Sequence, residues 1–223
     1  MLLTTRLHEN IFTKKDSMFD TVIRTNFVDS ETLVKITEYL KKSKFFINEG
    51  YGDFDKFNSI GGITDEQMAE MGMPPVPDYV LRTHRISHLS GEIRVIVSEI
   101  NRVCEQLIFD TYDRKMIDMR GGGVARYKNG QCLPVHQDWS ITDWVEKNNL
   151  PVVHLSSVFY INDNYAGGEL CFSSRKIDGY SPDIMSIKPQ AGTIIFFDAL
   201  RWHAAAPVVD GEKYAITNFY TLD

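Results

Sequence analysis

From Met116 to the C-terminus the chain is a succession of short β-rich runs. They cover Met116–Tyr127, Val152–Ile161, Glu169–Ser173, Gly192–Phe197 and Tyr214–Leu222, and clusters of Gly, Pro, Asn and Asp separate them. Runs of this length punctuated by turn residues fold as an antiparallel sandwich or barrel. The first half reads differently. Phe19–Val28 predicts a strand, and Asp29-Ser30 then offers short oxygen-bearing side chains that can accept the orphan N–H groups of a helix start. The helix after them carries Leu33, Ile36, Tyr39 and Leu40 at helical spacing through about Phe45. A second helix, capped by Ser90, places Ile93, Ile96, Val97, Ile100, Val103, Cys104, Leu107 and Ile108 on one apolar face. Between them, Asn48 to Pro77 is rich in Gly and acidic residues without periodicity, the pattern of a lid or binding loop. The expected architecture is α+β in one domain over residues 1–223, with supporting helices at about 29–110 and a β core at about 116–223.

Charge and cysteine usage narrow the function. Of 223 residues, 24 are Lys or Arg and 30 Asp or Glu, a net charge of −6. Broad nucleic-acid binding needs clustered cations to displace counterions and is disfavoured. No apolar run approaches the length of a membrane span, and His8, Glu9 and Asn10 interrupt the N-terminus before a signal-peptide core could form. Three widely spaced cysteines without a CxxC make neither a disulfide scaffold nor a cysteine zinc site. The expectation is a reduced, cytoplasmic protein of enzyme size.

Six histidines are present, and two stand in chemically suggestive company. His136-Gln137-Asp138 sets an imidazole and a carboxylate two residues apart, which on a strand puts both on one face. His203 comes 65 residues after Asp138, behind the apolar run Gly192–Phe197. Two histidines and one carboxylate can hold a divalent iron on one face and leave three coordination positions open. An HxD pair also arises by chance on surfaces and in cores, so the residues beyond His203 decide its weight. Lys213 lies ten residues on. With a turn over Val208–Glu212 it enters an adjacent antiparallel strand, where its ammonium would need an anionic partner if buried.

His136-x-Asp138, His203 and Lys213 together resemble the iron(II)- and 2-oxoglutarate-dependent oxygenases, specifically the prolyl 4-hydroxylase-like members. That family places the base anchoring 2-oxoglutarate about ten residues after its second histidine, with Lys in the collagen-type branch. Tyr214-Ala215-Ile216-Thr217 is similar to the last core strand of the hypoxia-sensing prolyl hydroxylases, which carry Arg where Lys213 stands. The likeness runs from about Met119 to Tyr220. It implies a double-stranded β-helix (jelly-roll, cupin-like) barrel, with Fe(II) on His136, Asp138 and His203. It further implies 2-oxoglutarate held by Lys213 with Tyr127, Tyr160 and Thr217, dioxygen as oxidant, and ascorbate as an additional ligand. Gly167-Gly168-Glu169-Leu170 resembles a structural turn of the family.

The implied reaction hydroxylates a C–H bond, peptidyl proline foremost, with succinate and carbon dioxide as co-products. The partner would then be a peptide or protein, or a small molecule in the alternative reading, and the chain a monomer or homodimer. Arg126, Trp139 and Trp202 are weaker candidates for substrate contact, with a surface ion pair or plain packing as the alternatives. His154 reads as a satisfied histidine, and His84 and His88 as solvated. Two departures, Phe219 for a tryptophan of the hypoxia-sensing branch and Leu133 for a tyrosine of the collagen-type branch, bear on the substrate side. Nucleobase demethylation fits less well, because the final strand ends Asn218-Phe219-Tyr220-Thr221-Leu222-Asp223 without arginine. A non-enzymatic β-helix binding module would need a broken triad or a missing anchor.

Overall fold

Asp29 begins the first helix as the sequence predicts. Its Oδ1 accepts from the Thr32 N–H at 2.9 Å and its Oδ2 from the Thr32 hydroxyl at 2.8 Å, satisfying a donor that the helix leaves open. In the computed structural model, which describes residues 4–6, 19–43, 46–47, 82–84, 89, 91–138, 152–174 and 185–223, this helix α1 spans Ser30–Lys42. The second, α2, spans Gly91–Tyr112, close to the expected end at about residue 110, and stops before Asp113 with φ 54°. The expected cap Ser90 and the loop Asn48–Pro77 lie outside the described residues. The strand expected over Phe19–Val28 shrinks to Val22–Arg24, because the chain bends beyond Arg24 and Asn26 takes φ 52°. Among the described residues no helix is long and apolar enough to cross a membrane.

Fourteen strands are described. They are β1 (Thr4–Arg6), β2 (Val22–Arg24), β3 (Phe46–Ile47), β4 (Arg82–His84), β5 (Met116–Tyr127), β6 (Leu133–His136) and β7 (Leu155–Tyr160), then β8 (Ala166–Gly167), β9 (Leu170–Ser173), β10 (Met185–Ile187), β11 (Ile194–Asp198), β12 (Trp202–Ala205), β13 (Val208–Asp210) and β14 (Lys213–Leu222). A major sheet has the order β1-β2-β11-β7-β14-β5-β4-β3, a minor sheet the order β10-β9-β12-β6, and β13 pairs with β8 alone. All pairings between these strands are antiparallel. This two-sheet arrangement is the double-stranded β-helix type of fold expected from the sequence.

Strand alternation sorts the side chains into two cores. One face of the major sheet carries Val22, Val124, Leu155, Phe159, Ile194, Phe196, Tyr214, Ile216 and Tyr220, packed against Leu33, Ile36 and Leu40 of α1 and Ile93, Val97, Ile100, Cys104 and Ile108 of α2. The opposite face turns Tyr160, Ile195, Phe197 and Ala215 toward Leu170 and Phe172 of the minor sheet. The helix-side core is not purely apolar. The Asn218 Nδ2 amide donates to the Asn101 Oδ1 of α2 at 2.9 Å, and the Ser157 and Tyr220 hydroxyls share a 2.8 Å bond, all buried. Close to this polar seam the β5–β14 ladder slips its register between Thr217 and Asn218. Gly121 sits there at φ 99°, and a Cβ on it would come within 2.4 Å of the Thr217 carbonyl oxygen, so only glycine permits the approach.

Truncating Asn101 to Ala strands the Asn218 amide in the helix-side core. Such a loss costs about 1–3 kcal/mol, and thermal unfolding of Asn101→Ala is expected to show a midpoint several degrees lower. An unchanged midpoint would mean that the bond contributes nothing.

Candidate metal centre

Two strands of the minor sheet build the site. β12 pairs with β6 so that His203 lies directly opposite His136, with ring centroids 4.2 Å apart. Asp138 stands just past the end of β6 and not on the strand as the HxD spacing alone suggests, yet its carboxylate still turns to both rings. Its Oδ1 is 3.3 Å from the His136 Nε2 and its Oδ2 3.4 Å from the His203 Nε2. Ligand atoms of the three residues all fall within 4.8 Å of one another, the one such group of three His, Cys, Asp or Glu residues among the described residues. Phe197 of the major sheet packs edge-on to His203 at 4.6 Å, closing the site from the facing layer.

The hydrogen bonds around the triad fix which atoms are free to bind. The His203 Nδ1 lies 2.8 Å from the Arg201 carbonyl oxygen, which can only accept, so the proton of a neutral ring sits on Nδ1 and the lone pair on Nε2. Burial holds the imidazole neutral, its pKa pushed down to about 4 although the Asp138 carboxylate opposes the shift. The Asp138 Oδ2 is buried without a hydrogen-bond partner. A lone pair on nitrogen thus faces a lone pair on oxygen at 3.4 Å, and a cation between them is what reconciles the two. The spacing agrees as well, since neighbouring ligands at ~2.1 Å from one metal are about 3 Å apart. The donor set, imidazole and carboxylate on one side of a centre, fits Fe(II) with positions left open.

Supporting contacts are structural. Asp198 accepts from the Phe19 N–H at 3.0 Å and the Leu200 N–H at 2.8 Å, and the Arg201 N–H donates to the Asp198 carbonyl at 3.0 Å. This fixes the turn between β11 and β12 that presents His203. The Gln137 side-chain amide, between the two ligands at the end of β6, donates to the Leu200 carbonyl of the same turn. His154 accepts from the Leu222 N–H at 3.0 Å through its Nδ1 and holds the sheet end, the satisfied histidine expected of it.

Lys213 stands at the start of β14, in the major sheet. Its ten-residue spacing from His203 suggests a strand beside that of the histidine. Instead β14 pairs with β5 and β7, and β13 intervenes and pairs with β8. Lys213 and the triad therefore belong to opposing sheets. Lys213 is 2% exposed, opposite Tyr127 in the β5 ladder. Its Nζ donates to the Gly168 carbonyl at 2.9 Å and lies 4.6 Å and 5.1 Å from the ring centroids of Tyr127 and Tyr160, both buried. Burial pushes its pKa down to about 7, with Lys188 adding to the shift and Glu169 and Cys171 opposing it. Thr217, half-buried, shares the inward face of β14 with Lys213 and Ala215.

Of the weaker candidates, the two that are described, Arg126 and Trp202, are not brought to the triad. Arg126 alternates with Tyr127 and shares the opposite, helix-side face of β5 with Val124, where its guanidinium acts on the Tyr214 hydroxyl. Trp202 alternates with His203 and packs with Val135, Cys171 and Ala204 on the outer face of the minor sheet. Trp139 and His88 lie outside the described residues, as does the side chain of His84. Conversely, the structure gives the Gly167-Gly168 turn a second part to play. A Cβ on Gly168, at φ 69°, would sit 3.2 Å from the Lys213 Cδ and 2.9 Å from the Tyr165 ring, so this glycine both makes room for the lysine stem and supplies its acceptor. A carbonyl acceptor leaves no mark in a sequence.

Comparison with known proteins agrees with this geometry. Residues 122–221 match the family model of the 2OG-Fe(II) oxygenase superfamily. Prolyl 3-hydroxylase 2 of Rattus norvegicus is 26% identical over 143 residues, covering 60% of this chain and 20% of that protein. The chain thus spans about a fifth of the length of the curated relatives it matches. Among solved structures, a prolyl hydroxylase from Trichoplax adhaerens in complex with a hypoxia inducible factor peptide fragment superposes with a TM-score of 0.58 at 15% identity, covering 90% of this chain and 83% of that one. The viral collagen prolyl hydroxylase of Paramecium Bursaria Chlorella virus-1, solved as its 2OG complex, superposes at 0.55 and 15% identity, covering 91% and 96%. Residues 122–221, just under half of the chain, thus resemble the 2OG-Fe(II) oxygenase superfamily, and the described fold and the His136-Asp138-His203 centre agree with that likeness.

Proposed function

We propose that the chain is an Fe(II)- and 2-oxoglutarate-dependent prolyl hydroxylase acting on a peptide or protein. The observation that carries the reading is the pairing of two sites across one interior: His136, Asp138 and His203 on the minor sheet, and the buried ammonium of Lys213 on the major sheet. His136, Asp138 and His203 would hold the iron, and Lys213, with Tyr127, Tyr160 and Thr217, the distal carboxylate of 2-oxoglutarate. When bound, iron and 2-oxoglutarate supply the hard chemistry, oxidative decarboxylation by dioxygen with transfer of one oxygen atom to a C–H bond. The protein supplies placement. The Arg201 carbonyl fixes the His203 ring, the Gly168 carbonyl fixes the Lys213 ammonium, and Phe197, itself packed edge-on to Phe172, lies against the His203 ring. The peptide assignment draws support from relatives whose names specify prolyl hydroxylation and from the solved neighbour bound to a peptide fragment.

Four outcomes test this. Purified protein is expected to convert 2-oxoglutarate to succinate in an iron-dependent way, and proline-containing peptides to gain about 16 mass units, one oxygen atom, in mass spectrometry, with fragmentation locating the hydroxyl on the proline ring. Turnover of 2-oxoglutarate with every proline peptide left unmodified would remove the peptidyl assignment and leave the cofactor chemistry. His136→Ala is expected to abolish both iron binding and succinate formation, whereas Lys213→Ala weakens 2-oxoglutarate binding by about tenfold or more with iron binding retained, since a charge-assisted pair is lost (about 1.5–3 kcal/mol).

The pH dependence comes from the buried lysine. In the ligand-free chain the ammonium titrates near 7, below its ordinary 10.5, and a bound carboxylate raises it. Below pH 7 the charge is already in place and 2-oxoglutarate affinity should be flat. Above that value binding has to take up a proton, so affinity should fall as pH rises toward about 9, read by calorimetry. The linkage to folding runs the other way. Because the folded pKa lies below the unfolded one, the destabilisation from burying the charge is complete below pH 7 and fades as pH climbs toward 10.5. This group therefore makes the ligand-free fold more stable with rising pH over that window, and Lys213→Met should flatten the trend in chemical denaturation.

A further inference from the structure

A second lysine reaches the same turn as Lys213, from the opposite side. Lys188 comes directly after the edge strand β10, and its side chain folds back over Tyr165–Gly168. The Lys188 Nζ donates to the Tyr165 carbonyl at 3.0 Å and the Gly167 carbonyl at 2.5 Å, and sits 3.6 Å above the centre of the Tyr165 ring. The next carbonyl along, that of Gly168, accepts from Lys213. The Gly168 N–H donates to the Pro207 carbonyl at 2.9 Å, and a Cβ on Gly167 would come within 2.2 Å of that same oxygen. The turn is thus gripped by two ammonium groups and one strand connection. Those contacts hold the exposed Lys188 side chain to the turn against the rotamer freedom it gives up.

Resting on the assignment of Lys213 as the diacid anchor, we infer that Lys188 is a positioning residue for that anchor: by pinning the Tyr165–Gly168 turn it fixes the Gly168 carbonyl, and through that carbonyl the place at which Lys213 meets the carboxylate. Its role is also electrostatic. Lys213 is faced by Lys188 and Glu169 from the turn and β10 side, by Cys171 from β9, and by the rings of Tyr127 and Tyr160 from β5 and β7. Of these Lys188 is the like charge, and it makes the Lys213 ammonium easier to deprotonate. Removing it has two separable effects. The turn loosens, which weakens diacid binding when Lys213 is fully charged, and the pH at which binding begins to fail moves upward.

The test uses the full chain loaded with Mn(II) in place of iron, titrated calorimetrically with 2-oxoglutarate from about pH 6 to about pH 9, a range that brackets the lysine's titration. Lys188→Met is expected to raise the Kd about five- to tenfold at the acid end, the scale of losing charge-assisted hydrogen bonds. Its pH break should lie above that of the wild type, and Mn(II) affinity should stay within about twofold. Lys188→Arg, which keeps charge and donors, should recover most of the affinity. A Kd for Lys188→Met within about twofold of wild type throughout overturns the inference. So does a parallel loss of Mn(II) binding, or a loss of affinity with the pH break unmoved, because a general structural role gives either. Lys213→Ala separates the two levels. If it binds 2-oxoglutarate as wild type does, or wild type binds none, the reading of the anchor fails and this inference with it. If Lys213→Ala loses affinity and Lys188→Met does not, only the role of Lys188 falls.

Discussion

An ammonium taken out of water costs several kcal/mol unless an anion meets it, and much of this fold can be understood as the frame that keeps Lys213 in that position. β14 is a central strand, flanked by β5 and β7 and covered on both faces, so the lysine at its start cannot turn to solvent without breaking the longest ladder of the major sheet. What the interior offers it is a neutral carbonyl and two aromatic faces. Those soften the desolvation without cancelling it, and the lowered pKa is the residue of that incomplete compensation. A site left short of one negative charge selects for ligands that bring it.

The metal centre has the complementary imbalance. Asp138 brings a negative charge to two imidazoles, and its Oδ2 lacks a donor. Each half of the interior therefore lacks what the family's ligands carry, a cation at one end and a carboxylate at the other. The helix-side layer has polar pairs of its own, Asn101 with Asn218 and Ser157 with Tyr220, though the Asn218 Oδ1 is itself without a partner. The same sheet thus carries one polar seam outward and another inward, and strand alternation keeps the two apart.

How much of this is legible in the sequence depends on what each residue's neighbours have to be. The cap at Asp29 and the apolar face of α2 are local patterns, and they appear where the spacing puts them. The β-rich runs after Met116 fall close to β5, β7, β9, β11 and β14. β6 is hidden because it is four residues long and contains Pro134, which an edge strand tolerates since one side of its backbone needs no partner. His136, Asp138 and His203 stand out only once Lys213 and the family resemblance are set beside them, since an HxD pair alone arises by chance. Which sheet receives Lys213 cannot, since a ten-residue spacing fits a hairpin partner and an opposing layer equally well. Alternation likewise says that Arg126 and Tyr127, or Trp202 and His203, point apart, but not which of each pair points inward when both faces are covered. Gly168 acts through its backbone carbonyl and Lys188 acts on such carbonyls, which every residue possesses.

The division of labour between the layers has a geometric corollary. The triad gathers at the minor sheet and the ammonium stands on the major one, and Phe172 and Phe197, 5.4 Å apart between centroids, pack between the two layers. The aromatic spacer works as a caliper for chain length. Under the proposed reading, a diacid that bridges the two must match that separation, so substitutions that thin or thicken this stack would change which carbon skeleton fits, without altering a single ligating atom.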